Sequence, residues 1–282
     1  MLGKLLKHEL YATGRIMLPL LGALIVLAGL ANLSFRGVEN IESNLITIAL
    51  VFVIAAFFLG LFAVCVMSIV LMVQRFYKNL MGDEGYLTLT LPASLHSVLW
   101  AKLLIASLWI ILTGIVATVL FLLTVAHVAS FEFGVLPDFF AELRRGLQEL
   151  TAYGITGGDW ALLIIGFVLL VILSCFAQCL HFYAAMGIGH CFDKDKVLLS
   201  VVFYIAIAFV LRMLAGLSAS VPSGAMTLVF GVDNGLIQGP SPADVMEFIH
   251  RVVWYSCLTQ LIHGAILYAA TIVPMKKWLN LA

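Results

Sequence analysis

The sequence predicts an all-α integral membrane protein of six transmembrane helices, and three observations carry that prediction. First, charged residues make up 11% of the 282 and apolar residues 63%, with a mean hydropathy of +1.13. A water-soluble domain has about a quarter of its residues charged, so water is not the main solvent of this chain. Second, uncharged runs long enough to cross a bilayer recur along it. Third, those runs are continuously apolar, whereas a membrane β-barrel needs short alternating segments. In lipid such a run must satisfy its own backbone hydrogen bonds, as a helix does.

Twenty uncharged residues separate Arg15 from Arg36, 32 separate Glu42 from Arg75, and 29 separate Lys102 from Glu132. A further 33 separate Asp159 from Asp193, and 24 separate Arg251 from Lys276. About 20 helical residues cross a hydrocarbon core of about 30 Å, so each run suffices. The sixth is shorter: Val197–Leu211 gives 15 uncharged residues before Arg212, and the apolar pattern resumes through Leu217. It reads as one helix with Arg212 near its end, where the guanidinium can extend to the interface. The predicted spans are 16–33, 45–73, 98–126, 160–186, 197–217 and 251–275, within a single transmembrane domain covering 1–282. The second and fourth are longer than a bilayer needs and are expected to tilt or to project into the cytoplasm.

Ahead of the first span, Leu2, Leu5, Leu6 and Leu10 recur at helical spacing among Lys4, Lys7, His8, Glu9 and Arg15. This predicts a short amphipathic helix on a membrane surface. No small-x-small cleavage site follows it, so the first apolar run reads as an uncleaved helix. With the N-terminus inside, ten Lys and Arg fall on the inner side and five on the outer, and the acidic residues divide five and ten. Both termini are therefore expected in the cytoplasm. Two outer segments are long. Pro137-Asp138 suits a helix start, and Phe139, Phe140, Leu143, Leu147 and Leu150 oppose Glu142, Arg144, Arg145 and Glu149, which predicts an amphipathic external helix over 137–152. Residues 218–248 are rich in Gly and Pro yet apolar at 225–232. Both a re-entrant segment shielded by protein and a surface loop fit that composition.

Several functional classes find no support. Net charge is zero, with 15 basic and 15 acidic residues, which gives no electrostatic reason for nucleic-acid binding. No phosphate-cradling glycine loop, HExxH zinc helix or serine-nucleophile elbow occurs, so the chain is not expected to be an enzyme. The five cysteines lie in or beside apolar spans, against a disulfide framework. Cys175 and Cys179 share a helix face, but no further soft ligand is spaced with them, so no metal is expected. No Asp or Glu falls inside a predicted span, which weakens ion coupling. His181 and His263 do, and each is expected to bond a neighbouring helix rather than line a path. Glu247 and Arg251 are expected to pair at i, i+4 near the start of the last helix.

The most informative stretch is Arg75–Pro92. Charges and glycines come first, then the apolar run Tyr86–Leu91, then Pro92 and Ser94 opening the third span. A mere connector is shorter and more polar. Tyr86, Leu87, Leu89 and Leu91 beside Asp83 and Glu84 make an apolar surface with a charged rim, suited to a partner protein. The same residues would also suit packing on the protruding helix ends.

Here the chain resembles the membrane-spanning permease subunits of ABC transporters, in the six-helix exporter class common in Gram-positive bacteria. The residues carrying the resemblance are Gly82-Asp83-Glu84-Gly85-Tyr86-Leu87, Thr90-Leu91-Pro92 and the opening Leu5-Leu6-Lys7-His8-Glu9-Leu10. The order of parts adds to it: an interfacial N-terminal helix, six spans, a cytoplasmic loop after the second, and a re-entrant outer segment before the last. The resemblance implies a bacterial plasma-membrane protein with no ATPase or cofactor of its own. ATP and Mg would be bound by a partner ABC ATPase subunit, and a second permease subunit, identical or not, would complete the substrate path in the lipid bilayer. Asp83, Glu84, Gly85, Tyr86 and Leu87 would form the coupling contact with the ATPase. The external helix at 137–152 is larger than the family's minimal pattern. Two other classes fit the composition. A sensor or immunity protein acting by binding would need no ATPase encoded beside it. A secondary carrier would show an inverted repeat, and none is visible.

Overall fold

The computed structural model describes residues 2–38, 44–81, 94–132, 135–192, 195–229, 232–233, 236–237 and 241–277. They form seven α-helices: α1 Leu2–Val38, α2 Asn44–Phe76, α3 Leu95–Glu132, α4 Val135–Ala152, α5 Gly157–Gly189, α6 Lys196–Val229 and α7 Pro242–Lys277. A π-helical turn, Tyr77–Met81, continues α2. Two-residue strands β1 Val232–Asp233 and β2 Leu236–Ile237 pair antiparallel between α6 and α7, with Val232 opposite Ile237. Six of the helices, all except α4, are long and apolar enough to cross a membrane, so the chain is a multi-pass membrane protein. Their outward surfaces suit lipid rather than water. On α2, Phe52, Leu59 and Phe62 are 71%, 68% and 69% exposed, which an aqueous surface would not tolerate at such density.

The helices form two compact units, each with its own packing. The first holds α1, α2 and α3, the second α5, α6 and α7, and the boundary along the chain falls within the π turn and within α4.

In the first unit α1 is the central element. Met17, Leu21, Leu24, Ala28 and Ala31 are buried on it and alternate steps of four and three, a coiled-coil-like seam. That seam packs on Phe57 and Val64 of α2 and on Ile105 and Trp109 of α3. The small Ala28 and Ala31 let the backbones approach, which is how helices pack where lipid removes the hydrophobic drive. Toward the far end of α1, Asn32 Nδ2 donates to Thr124 Oγ1 of α3 at 3.2 Å.

In the second unit α5 carries the core, with Ala177, Cys179, Leu180, Tyr183, Ala184 and Met186 buried. It packs along α7 through close backbone approaches: a Cβ on Gly187 would stand 3.6 Å from the Thr271 carbonyl. The N-terminal starts of α5 and α7 use the same device. Thr156 donates from its backbone and hydroxyl to Asp159 Oδ2, both at 2.8 Å, and Ser241 does so to Asp244 at 3.0 and 2.6 Å. A carboxylate three residues in satisfies donors that would otherwise be orphaned at a helix start, and Pro242 at the first helical position of α7 adds a pre-set φ.

Three boundaries differ from expectation. The N-terminal segment is not separated from the first span: Leu2–Val38 is one helix, because no residue between Lys4 and Thr13 breaks it. The helix that holds the fifth span runs past 217 to Val229, since residues 213–229 hold no charge; its candidate membrane-crossing stretch among the described residues is Lys196–Leu214, with Arg212 near the end of that stretch. The last helix begins at Pro242 rather than 251, so the Glu247–Arg251 pair, formed at 2.5 Å, lies in its third turn. A helix forms over Val135–Ala152, close to the expected 137–152, and is closed by Gly154 at φ 84°, a conformation that favours glycine. The side chains of Phe139, Phe140, Leu143 and Leu147 on its expected apolar side lie outside the described residues. Its Glu142–Arg145 pair is exposed on both sides and contributes little.

Candidate functional site

Polar side chains inside apolar helices concentrate at two places, one in each unit.

In the first unit they gather where α1 begins, α2 ends and α3 begins. Glu9 of α1 accepts from Lys102 Nζ of α3 at 2.6 Å and from Arg75 Nη1 of α2 at 3.2 Å. The Lys102 side chain is only 5% exposed and that of Glu9 13%, so this cluster is withdrawn from solvent and its geometry matters. One turn further along α1, Thr13 Oγ1 accepts from Trp109 Nε1 of α3 at 2.7 Å and donates to the Glu9 carbonyl at 2.7 Å. Three helices are thus tied at one end by a single carboxylate and the rung beside it. This end of the unit is also where α2 and α3 flank the segment 82–93. The expected partner contacts Asp83, Glu84, Gly85, Tyr86 and Leu87 lie outside the described residues. Their anchors are described. On one side the helix rewinds into the π turn, where Leu80 and Met81 are buried; such turns are rare and recur at functional sites. On the other, Ser94 Oγ accepts from the Ser97 backbone at 3.2 Å and caps α3.

Sequence reasoning placed Glu9 on a surface helix and counted no carboxylate within a span. The continuity of α1 changes that, because Glu9 belongs to the same helix that crosses the unit. The missed signal was the single acid among the first helix's basic residues, with Arg75 and Lys102 each at the matching end of a later helix.

In the second unit a cavity of about 390 Å³ opens between α5, α6 and α7. Its polar lining comes from Ser174, Gln178 and His181 on α5, Tyr204 and Arg212 on α6, and Thr259, Gln260 and His263 on α7. Tyr204 organises one wall. His181 Nε2 donates to its carbonyl at 3.0 Å, the His181 ring stacks on the phenol ring at 4.4 Å between centroids, and Gln178 Nε2 donates to its hydroxyl at 3.3 Å. His181 thus bonds a neighbouring helix, as expected of it. His263, expected to do the same, faces the shared cavity. Among the described residues Arg212 is the one Lys or Arg in the lining, and no carboxylate lines the cavity. At about 1.5 Å per residue, Arg212 stands about 24 Å from the start of α6 at Lys196, and Gln260 about 24 Å from Lys276. Both distances are shorter than an apolar core of about 30 Å, and Arg212 lies near the end of the candidate span Lys196–Leu214.

The cavity was not anticipated, although its signal is in the sequence. Ser174, Gln178 and His181 lie on one helical face, Tyr204 and Arg212 are two turns apart on the next helix, and Gln260 and His263 are one turn apart on the last. Each span read alone shows only scattered polar residues.

Among the described residues no cluster of three or more His, Cys, Asp or Glu is arranged to hold a metal. Cys179 and Cys257 are buried, and Cys257 Sγ donates to the Gly166 carbonyl at 3.5 Å, a packing role. Compared with known protein families, curated proteins and solved structures, the chain has no match.

Proposed function

We propose that this chain is the membrane-spanning permease subunit of an ATP-driven ABC exporter, working with a separate ATPase subunit and a second permease subunit in a bacterial plasma membrane. In this reading both termini are cytoplasmic and the first turns of α1 lie at the inner interface. The segment 82–93 receives the ATPase stroke through Asp83, Glu84, Gly85, Tyr86 and Leu87. The observation that carries the proposal is the Glu9–Arg75–Lys102 cluster. It clamps the two helices that flank this segment to α1, so a displacement applied there moves three helices together instead of fraying one loop. Rigid-body rocking of that kind is how alternating-access devices convert a local push into opening on the far side.

Two results test the reading. The tagged full chain is expected to bring down an ATPase from its native membrane, and hydrolysis by that complex should fall at least tenfold with Glu84→Ala and Tyr86→Ala together while the chain's abundance is unchanged. Purification without any ATPase, joined to full function of the double variant, would sink it.

A further inference from the structure

We infer that the cavity between α5, α6 and α7 is a binding site for an oxyanion headgroup, phosphate or carboxylate, carried on an amphiphile. This does not rest on coupling to an ATPase.

The chemistry of the lining selects the ligand. Arg212 is the one Lys or Arg in the lining, and it forms no ion pair among the described residues. Its planar fork matches the two oxygens of a phosphate or carboxylate. No carboxylate stands in the lining beside it among the described residues, so an anionic ligand would supply the counter-charge that the cavity lacks. Every other charged residue of the span it shares stands at the Lys196 end, whose distance along the helix far exceeds an ion-pair contact. Gln178 and Gln260 add neutral amides, and His263 a ring N–H, that donate to further oxygens. The Tyr204 ring, fixed by His181, shapes the wall.

The apolar remainder of the lining explains why the anion should be part of an amphiphile. Leu211 and Leu267 close the cavity beside the polar groups. Its mouth is open, since Gln178 and Arg212 are both exposed. Phe209, Val210 and Met213, adjoining Arg212 on α6, are 63%, 55% and 57% exposed. A headgroup entering from the side could therefore leave its chains along α6. The volume, about 390 Å³, accommodates a headgroup and not a whole lipid.

The oxyanion has two possible carriers, a membrane lipid or a free anion, and one experiment separates them. Purified full-length chain in neutral detergent would be titrated with phosphatidylglycerol and, separately, with phosphatidylcholine, and bound lipid counted by native mass spectrometry. Phosphatidylglycerol is expected to fill one saturable site per chain at least tenfold more tightly than phosphatidylcholine. Arg212→Gln should erase that preference and Arg212→Lys should retain part of it. Arg251→Gln, which alters a cation already paired with Glu247, should leave it unchanged. Competition by millimolar inorganic phosphate would identify a free oxyanion as sufficient; its failure, with phosphatidylglycerol still selected, would make the lipid chains part of the ligand. Should Arg212→Gln not yield folded protein, Gln260→Ala carries the test, with a several-fold loss expected. Equal binding of the two lipids without competition by phosphate, or wild-type preference in the folded variant tested, overturns the inference.

Discussion

Replacing Glu9 with alanine is expected to destabilise the first unit by about 3–5 kcal/mol, the range for breaking a buried ion pair from one side. The size follows from what remains. Lys102, 5% exposed at its side chain, loses the carboxylate that holds it, and Arg75 loses its contact at the same time. The measurement is thermal unfolding of the purified protein in detergent. A matched double replacement, Glu9→Met with Lys102→Met, separates charge from packing: it should recover most of the loss, because apolar residues of similar volume often replace a buried pair without cost. An unchanged midpoint for Glu9→Ala would mean that the cluster adds nothing to the fold.

The second large effect is expected at Gly189, where α5 ends against the start of α6. A Cβ there would fall on Ser200 Oγ and stand 2.6 Å from the Ser200 backbone nitrogen and 2.7 Å from its Cα. A side chain can rotate away, but backbone cannot without displacing α6. Gly189→Ala should therefore cost about 3 kcal/mol or more, at or beyond the upper end for overpacking. Adding Ser200→Ala should not rescue it, since the backbone conflict persists. Gly166→Ala is the internal control. Its Cβ would meet Val253 Cγ1 at 2.9 Å, a rotatable methyl, and about 1 kcal/mol is expected. Equal folded yield and equal unfolding midpoints for the two variants would refute this ranking.

These two sites show what could and could not be read from the sequence. The six spans were legible because lipid as solvent imposes one strong rule, an uninterrupted apolar helix, and residues 45–73 or 160–186 obey it without ambiguity. Helix ends were less legible. Arg212 suggested a terminus because a charge usually marks one, yet the uncharged residues 213–229 carried the helix on. Partnerships between helices were least legible. Nothing local to Gly189 announces Ser200, and nothing local to Glu9 announces Lys102. The polar faces of α5, α6 and α7 look incidental until packing sets them around one space. The segment proposed for coupling stands apart: its residues come from sequence pattern and resemblance, and what the structure adds is the Glu9 ion-pair cluster on the helices beside it.

That clamp also sets an order of events during synthesis. Glu9 and Lys102 are 93 residues apart in the chain. At about 5–20 residues per second, the ribosome needs about 5–20 s to make the second after the first. Throughout that interval the leading helix holds an acid whose strongest partner does not yet exist. Arg75 arrives earlier and is a provisional counter-charge. The first two helices can therefore pair through Arg75 first, and the cluster is complete only once the third helix brings Lys102 to Glu9.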